Sequence, residues 1–300
     1  MARSFLQASD LNKAEVAQVF DMCRRFKKGE LKSRPLEGKG VACLFMKESL
    51  RTRISFEVGI SQLGGHPMYI TDKEVKLGQR ETIADAAQVL SRYVAMIVIR
   101  TFAQSDVEGL AKWGSVPVVN ALTDLEHPCQ IFGDYYTIME HLPGKERYKI
   151  AYMGDGNNIT NSFLALASVI PIDFRVGTAA DCQPSAEMVK LAKANPDSRI
   201  LMTEDPKEAV AGADVVYTDV WASMGFKDQA EAKAEKLRKY QVNSALMAGA
   251  DPKAIVMHCL PAERGREITD DVIDGPQSVI FDQAENRLHI QKALMAFLLS

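Results

Sequence analysis

The chain has 300 residues, of which 47% are hydrophobic and 25% charged, so it can form two globular domains of ordinary size and is too apolar to be disordered. Its formal net charge of -3 comes from scattered charges, which argues against the massed basic surface of nucleic-acid-binding proteins. No run reaches the roughly 18 to 20 apolar residues of a membrane span, and the start lacks a secretory hydrophobic region, so we expect no membrane partner and a cytoplasmic location.

The cysteines predict a reducing compartment. Their number is odd, they lie far apart along the chain, and no C-x-x-C pair occurs. A disulfide framework or a zinc site is therefore not expected, and no other metal or organic cofactor is indicated. The cysteines are Cys23, Cys43, Cys129, Cys182 and Cys259.

The first predicted elements are a helix over residues 10–26, capped by Asp10, and an apolar strand over residues 41–46. A second helix follows the strand, because apolar residues recur at four-residue spacing until the Gly64-Gly65 pair stops the pattern. This spacing predicts one buried helical face, formed by Leu50, Ile54 and Val58.

The polar residues between this strand and this helix form a candidate phosphate site. Ser49, Arg51 and Thr52 fall in the first turn, where backbone N–H groups lack intrahelical partners and the helix dipole is positive. The planar fork of an arginine can also donate two parallel hydrogen bonds to a phosphate. Taken alone, the same residues fit a serine N-cap followed by solvated arginines equally well.

The rest of the first half continues the alternation of strands and helices. Residues 71–79 carry mixed charges and a glycine, which predicts a mobile loop. Pro143-Gly144 is the first clear break, and it places a domain boundary near this point. The predicted strands cover residues 68–70, 94–99 and 116–119, and the predicted helices cover residues 83–93 and about 128–140.

The second half repeats this rhythm. A tight turn at residues 154–158 leads into a helix over residues 159–169, and a final helix covers residues 283–299. Alternation of this kind predicts an α/β fold with two doubly wound parallel-sheet domains. We expect domains at residues 1–142 and 143–282, with residues 283–300 packing back on the first. The predicted strands cover residues 149–153, 174–177, 199–202, 215–218, 255–257 and 279–281.

Polar side chains follow strand after strand in this pattern, and in parallel α/β sheets ligands bind beyond the carboxyl ends of the strands. Each residue alone has an ordinary structural explanation: an aspartate can cap a helix, a histidine can lie in a turn, and a cysteine can be a small buried hydrophobe. Their shared position favours a common site. The residues are Ser49, Arg51, Thr52, Arg100, Thr101, His127, Gln130, Asn158, Asp219, His258 and Cys259.

Five strings, spread in order over nearly the whole chain, together resemble the ornithine carbamoyltransferases. The first two are shared by the wider aspartate and ornithine carbamoyltransferase family, whereas the third and fourth are similar to the ornithine branch alone. The strings are Ser49-Leu50-Arg51-Thr52-Arg53, His127-Pro128-Cys129-Gln130, Asp219-Val220-Trp221-Ala222-Ser223-Met224-Gly225, His258-Cys259-Leu260-Pro261 and Gln283-Ala284-Glu285-Asn286-Arg287.

The resemblance implies transfer of the carbamoyl group of carbamoyl phosphate to ornithine, giving citrulline and phosphate, in a cleft between the two domains. It implies that Arg51, Arg100, His127 and Cys259 are catalytic. His127 would donate to the carbonyl oxygen, where negative charge builds, and Gln130 would orient the carbamoyl amide. The implied carbamoyl-phosphate-binding residues are Ser49, Leu50, Arg51, Thr52, Lys76, Arg100, His127, Gln130, Cys259, Leu260 and Arg287.

The resemblance also implies an ornithine site, in which Asp219 pairs with the α-ammonium group of the substrate. The implied partners of Asp219 are Asn158, Ser223 and Met224. Cys259 would lie beside the reacting amine. A covalent role for its thiol is not expected, because carbamoyl phosphate is already activated and the amine can attack it directly.

A homotrimer, or a multiple of trimers, is implied as well, in which Lys76 reaches the site of a neighbouring subunit. This position departs from the family, which commonly has glutamine there. Three alternatives stay open. One is a related enzyme acting on putrescine or an acylated ornithine, and one is a noncatalytic binding protein. The third is a dehydrogenase, although the G-x-G-x-x-G pattern that begins at Gly154 fails at Ile159.

Overall fold

A computed structural model describes residues 2–78, 80–221 and 227–300. The chain divides into two compact units. The first comprises Met1–Tyr136 and Glu285–Ser300, and the second comprises Thr137–Ala284. Among the described helices, none combines the length and the hydropathy needed to cross a bilayer.

The first unit is built on a parallel sheet with the strand order β2-β1-β3-β4. Its strands are β1 (Gly40–Phe45), β2 (His66–Thr71), β3 (Met96–Arg100) and β4 (Val118–Leu122). Its helices are α1 (Lys13–Lys27), α2 (Leu50–Gln62), α3 (Asp72–Val75), α4 (Ile83–Tyr93), α5 (Gln104–Trp113) and the greater part of α6 (Pro128–His141). Strands β1, β3 and β4 are buried almost throughout, and the continuous apolar run at residues 94–99 predicts this for β3.

The second unit is built on a parallel sheet with the order β7-β6-β5-β8-β9. Its strands are β5 (Tyr148–Met153), β6 (Ile172–Gly177), β7 (Arg199–Thr203), β8 (Val215–Thr218) and β9 (Ile255–His258). Its helices are α7 (Asn158–Ala167), α8 (Ala186–Lys193), α9 (Pro206–Val210), α10 (Lys227–Leu237), α11 (Ser244–Met247), α12 (Asp270–Ile273) and the start of α13 (Ile280–Leu298), with a 3-10 turn at Arg238–Tyr240.

The two parallel sheets confirm the predicted fold class. In each sheet the strand order reverses direction once, between β1 and β3 in the first unit and between β5 and β8 in the second. The register pairs Phe45 with Arg100 across the first of these points, and Met153 with Thr218 across the second. Ligands of doubly wound sheets bind beyond the carboxyl ends of the strands at such points. The loops that follow β1 and β3, and those that follow β5 and β8, are therefore the expected binding loops.

The predicted buried face of α2 is wrong. Leu50 is 70% exposed, and Ile54 and Val58 are also exposed. The helix instead buries the stripe that contains Phe56 and Ile60, which flank Gly59. A Cβ at Gly59 would lie 3.3 Å from the Lys292 side chain and 3.5 Å from Leu288 and Met295, so the missing side chain lets α13 approach. The sequence of α2 contains two apolar stripes, and the buried one is the stripe that packs against α13.

Helix α1 begins later than predicted. Its N-cap is Asn12, which forms a capping box with Glu15. The Asp10 carboxylate accepts hydrogen bonds from the N–H groups of Leu6 and Gln7 instead, at 2.7 and 3.0 Å. Asp10 therefore closes a turn before the helix and does not cap it.

Two further predictions at single elements are wrong. Residues 71–79 are not loop throughout, because a capping box between Thr71 and Glu74 starts the short helix α3. The strand predicted over residues 279–281 does not form, since Ser278 makes only one bridge, with Val256, and helix α13 begins at Ile280. A three-residue apolar run is too short for its periodicity to distinguish a strand from the first turn of a helix.

Candidate active site

The first group of candidate residues lies at the start of α2. Ser49 has extended backbone angles, as an N-cap requires, and its hydroxyl oxygen accepts a hydrogen bond from the Thr52 N–H at 3.3 Å. Ser49 and Arg51 are half-buried, whereas the Leu50 side chain is exposed. In the described part of the chain, no carboxylate forms an ion pair with Arg51. Its guanidinium group can therefore serve an anion without breaking an ion pair.

Thr52 connects this helix start to two buried arginines. Its hydroxyl oxygen accepts a hydrogen bond from Arg287 Nη2 at 2.5 Å and a weaker one from Arg100 Nη1 at 3.5 Å. Arg100 ends strand β3 and Arg287 lies on α13, and both are buried, at 8% and 3% exposure. Two positive charges and the positive end of a helix thus meet at one threonine, which is the arrangement that binds a dianion.

His127 and Gln130 lie at the start of α6, after the end of β4. Both are buried, and the His127 carbonyl oxygen accepts a hydrogen bond from the Gln130 N–H at 3.0 Å. The Gln130 amide nitrogen donates to the Asp134 carboxylate at 2.8 Å. The intervening Cys129 donates its thiol to the Asn120 carbonyl oxygen, and burial raises the pKa of this thiol to about 12. Cys129 therefore has a structural role, whereas the imidazole is the chemically useful group.

Burial lowers the pKa of His127 well below its ordinary value of 6.5, and the nearby charges of Arg287, Arg100 and Lys47 lower it further. The imidazole is therefore neutral near pH 7. A neutral imidazole can donate one hydrogen bond to a carbonyl oxygen, but it adds no fourth positive charge to this cluster.

The depressed pKa of His127 predicts a pH dependence of stability. Between the lowered folded pKa and about 6.5, the unfolded chain binds one more proton at this residue than the folded chain does. The free energy of unfolding should therefore fall as the pH is lowered from 6.5 through this window. Urea titrations at several pH values should show that the free energy of unfolding falls less steeply with decreasing pH in His127→Gln than in the wild type. The same pH dependence in both proteins would contradict the lowered pKa of His127.

Lys76 stands apart from this group. It ends α3 in a left-handed conformation with φ 46°, and its side chain is exposed. Within the described residues, its side chain forms no hydrogen bond or ion pair with the residues at the start of α2. The structure therefore brings together Ser49, Thr52, Arg100 and Arg287 but not Lys76.

The second group of candidate residues lies at the carboxyl ends of β8 and β9. Asp219 follows β8 and is buried, at 7% exposure. One carboxylate oxygen accepts from the Asn157 amide at 2.9 Å, and the other accepts from the Cys259 thiol at 3.0 Å and the Val220 N–H at 2.8 Å. Residues from three loops thus meet at one carboxylate, which can hold an ammonium group.

Cys259 is positioned by the loop that follows β9. His258 is fully buried, with Nε2 3.1 Å from the Glu267 carboxylate and Nδ1 accepting from the Leu260 N–H at 2.9 Å. The tautomer that satisfies both contacts carries its proton on Nε2. Leu260 has φ 58°, a left-handed conformation that is unusual for a leucine and is held here by this hydrogen bond.

Asp219, His258 and Cys259 each place one metal-ligand atom within 4.8 Å of the others. His258 already uses both ring nitrogens, one toward the Leu260 N–H and one toward Glu267. A metal ion would have to replace one of these buried contacts. The local geometry therefore favours a hydrogen-bonded site that positions the thiol and the carboxylate.

Two functional residues, Asn157 and Lys47, are not among the residues predicted from the sequence. Asn157 caps α7 through the Ile159 N–H, at 2.9 Å, and also holds Asp219. The doubled asparagine after Gly156 is the sequence signal for it: Asn158, the predicted residue, is the first residue of α7, and Asn157 is its N-cap. Lys47 adds positive charge near His127, and its place at the end of β1 was the available signal. Ser223 and Met224 lie outside the described residues.

Known proteins resemble the chain over its whole length. The carbamoyl-phosphate-binding domain of the aspartate/ornithine carbamoyltransferases matches residues 3–140, and the aspartate/ornithine-binding domain of the same family matches residues 146–298. The chain belongs to the aspartate/ornithine carbamoyltransferase family.

Individual members of this family agree with that assignment. The ornithine carbamoyltransferase of Methanothermobacter thermautotrophicus is 49% identical, covering 95% of both chains, and that of Geobacter sulfurreducens is 45% identical over the full length of both. The solved ornithine carbamoyltransferase of Pyrococcus furiosus superposes with a TM-score of 0.94 at 44% identity, covering 99% of this chain and 96% of that one.

Proposed function

We propose that the protein catalyses transfer of the carbamoyl group from carbamoyl phosphate to the side-chain amine of L-ornithine, giving L-citrulline and phosphate. Membership of the carbamoyltransferase family supports the reaction class, and the ornithine carbamoyltransferases among its relatives support the acceptor. The observation that carries the proposal is the convergence of Arg100 and Arg287 on Thr52, because it prepares a site for the phosphate dianion.

In this proposal, the start of α2 binds the phosphate group of carbamoyl phosphate. The N–H groups of its first turn, the Ser49 hydroxyl and the Arg51 guanidinium group bind the phosphate oxygens, so the exposed Leu50 side chain is no obstacle. Arg100 bridges the phosphate and the carbonyl oxygen, and Arg287 adds a further donor. Arg100 and Arg287 are both buried and donate to Thr52 before any ligand binds, so they can stabilise developing charge with little reorganisation.

His127 and Gln130 bind the carbamoyl group of the substrate through hydrogen bonds. As the amine attacks, negative charge builds on the carbonyl oxygen, where neutral His127 donates a hydrogen bond. Gln130 orients the carbamoyl amide, and its bond to Asp134 fixes its rotamer. The side-chain amine attacks in its neutral form: a C–N bond forms, the C–O bond to phosphate breaks, and phosphate leaves with the bonding pair and accepts the proton that the amine loses.

Asp219 holds the amino-acid end of ornithine. Its buried carboxylate pairs with the α-ammonium group, and Asn158 is a further candidate partner of this end. The family resemblance adds Ser223 and Met224, which lie outside the described residues. Cys259 and the Leu260 backbone lie beside the reacting amine. The Cys259 thiol acts through hydrogen bonding alone, since the substrate is already activated. Finding a carbamoylated thiol by mass spectrometry during turnover would overturn this assignment.

The choice of acceptor separates this proposal from a related carbamoyltransferase. Putrescine lacks the α-carboxylate but keeps an ammonium group at the position of the α-ammonium group, whereas N-acetylornithine lacks the α-ammonium charge that Asp219 would pair with. A buried carboxylate left without its partner is costly, so we expect kcat/KM for ornithine to exceed that for N-acetylornithine at least 100-fold. Putrescine can still pair with Asp219, so we expect a smaller preference for ornithine over putrescine, set by the contacts of the missing carboxylate. Purified protein, carbamoyl phosphate and each amine in turn provide the assay. Faster carbamoylation of putrescine or N-acetylornithine would assign the other substrate.

We also propose a cytoplasmic homotrimer, or a multiple of trimers, in which Lys76 completes the site of a neighbouring subunit. The exposed apolar stripe of Leu50, Ile54 and Val58 on α2 supports a subunit contact, because monomeric proteins rarely leave such stripes in water. The five cysteines, which form no disulfide, are consistent with a reducing compartment. The exposed Lys76 side chain is available to add a point charge to a bound phosphate.

Mixed oligomers test the shared site. Inactive Arg51→Ala subunits and impaired Lys76→Ala subunits are dissociated, mixed and reassembled. If each site uses Lys76 of a neighbour, some interfaces in the hybrids contain both wild-type residues, and activity should return. Verified hybrids without any recovery would place Lys76 in its own subunit's site or in none.

A further inference from the structure

A second basic cavity lies in the first unit, beside the C-terminal end of α2. Its volume is about 250 Å³, and all its charged lining residues are basic. The residues that matter are Phe26, Lys32, Ser33, Arg34, Gln62 and Lys292. Gln62 is ten residues beyond Thr52 on α2, or about 15 Å along a helix axis, so the cavity is separate from the start of that helix.

Lys292 is the unusual member of this set. It is only 6% exposed, and its ammonium group donates to the Gln62 side-chain oxygen at 2.7 Å and lies 5.3 Å from the Phe26 ring. In the described part of the chain, no carboxylate forms an ion pair with it. Burial lowers the pKa of this ammonium group. A buried cation with an amide and an aromatic ring as its partners is not neutralised, which is costly in the absence of an anion.

The packing of α13 on α2 explains why Lys292 points here. The Lys292 side chain passes the position that a Cβ of Gly59 would occupy, at 3.3 Å from it. The aliphatic part of Lys292 therefore packs against α2. Its ammonium group lies at the wall of the cavity, where it donates to Gln62. The two helices are closely packed at this point, since Leu288 and Met295 of α13 also lie 3.5 Å from the position of a Gly59 Cβ.

The other lining groups suit an oxyanion. Lys32 and Arg34 are exposed, and Ser33 offers a hydroxyl donor between them. Arg34 pairs with Glu37, but both side chains are largely exposed, and exposed pairs of this kind are weak. Gln62 uses its oxygen for Lys292, so its amide N–H groups can still donate.

We propose that this cavity binds a phosphate-type oxyanion at a second site, distinct from that of carbamoyl phosphate. Lys292 supplies the buried charge, Lys32 and Arg34 supply the outer charges, and Ser33 and Gln62 supply neutral donors. The cavity is smaller than the roughly 300 to 1,000 Å³ of pockets for drug-sized ligands, which suits a single ion or one phosphate group.

Equilibrium dialysis with radiolabelled inorganic phosphate tests the site on the full-length protein. We expect two phosphates per wild-type subunit, one after Lys292→Met, one after Arg51→Ala and none after both changes. Methionine keeps the unbranched chain but removes the charge. Lys39→Ala removes an exposed lysine that donates to the carbonyl oxygen of Pro35, the residue after Arg34, and it should leave both sites intact.

The four stoichiometries keep this proposal separate from the proposed function. Loss of one phosphate in Arg51→Ala concerns only the start of α2, whereas loss of one in Lys292→Met concerns only the cavity. Lys292→Met with the stoichiometry and affinity of the wild type would overturn the proposal. Should that variant not fold, the exposed double change Lys32→Ala/Arg34→Ala should weaken the second phosphate at least tenfold, and unchanged affinity would equally overturn it. If methyl phosphate displaces the label from the second site, the natural ligand is a phosphate group carried on a larger molecule. If methyl phosphate does not displace the label, the ligand is the free ion.

Discussion

Replacing Arg51 with alanine is expected to lower kcat/KM for carbamoyl phosphate by roughly 100-fold or more, or about 3 kcal/mol of transition-state stabilisation. Arg51 lies in the first turn of α2, and in the described part of the chain no carboxylate competes for it. Its fork can therefore act wholly on the phosphate as the leaving group gains charge. Steady-state kinetics with both substrates varied measure the effect.

Arg53→Ala is the matched control for this change. Arg53 lies two residues along the same helix, where it pairs with Glu57 at 3.0 Å and stacks 3.7 Å from the Tyr69 ring. Its loss removes the same charge from the same helix turn, but it should change kcat/KM less than Arg51→Ala does. Activity of Arg51→Ala within about fivefold of the wild type at saturating carbamoyl phosphate would contradict the role of Arg51.

Replacing Asp219 with asparagine is expected to raise KM for ornithine at least about 30-fold, or roughly 2 kcal/mol, while KM for carbamoyl phosphate changes little. The substitution keeps the shape of the side chain but removes the charge that would pair with the α-ammonium group. In the wild type, Asn157 and Cys259 both donate to the Asp219 carboxylate, and in the variant an amide faces these two donors. Separate saturation curves for the two substrates provide the measurement.

Asp181→Asn is the control for the Asp219 variant. Asp181 lies in the same unit, is exposed, and pairs with Lys236 at the surface. Its replacement removes one carboxylate without touching the loops that follow β8 and β9, so both KM values should remain near those of the wild type. Equal changes in the two KM values of Asp219→Asn would count against a specific role in ornithine binding.

The sequence was sufficient to predict the parallel sheets and the edge at which the candidate residues gather. Apolar runs such as residues 96–99 of strand β3 alternate with helices, and this pattern has few topological solutions. Once the strands are parallel, residues that follow them must share an edge. Asp219 and Cys259, forty positions apart, therefore meet at 3.0 Å.

Other features depend on partners that periodicity cannot identify. The buried face of α2 is decided by Gly59 and the approach of α13, which arrives more than two hundred residues later. Asp10 and Asn12 are both good capping residues, and only Glu15 at the third helical position distinguishes them. The pairing of Lys292 with Gln62 likewise joins distant residues, and a lone lysine in a helix gives no sign of burial.

A crystal structure with carbamoyl phosphate and norvaline, which is ornithine without its reactive amine, would test the assignment of the two groups of residues most directly. We expect the phosphate at the N–H groups of the first turn of α2, within hydrogen-bonding distance of Arg51, Arg100 and Arg287. We expect the α-ammonium group of norvaline at the Asp219 carboxylate. Phosphate bound away from the start of α2, or an α-ammonium group that does not contact Asp219, would contradict it.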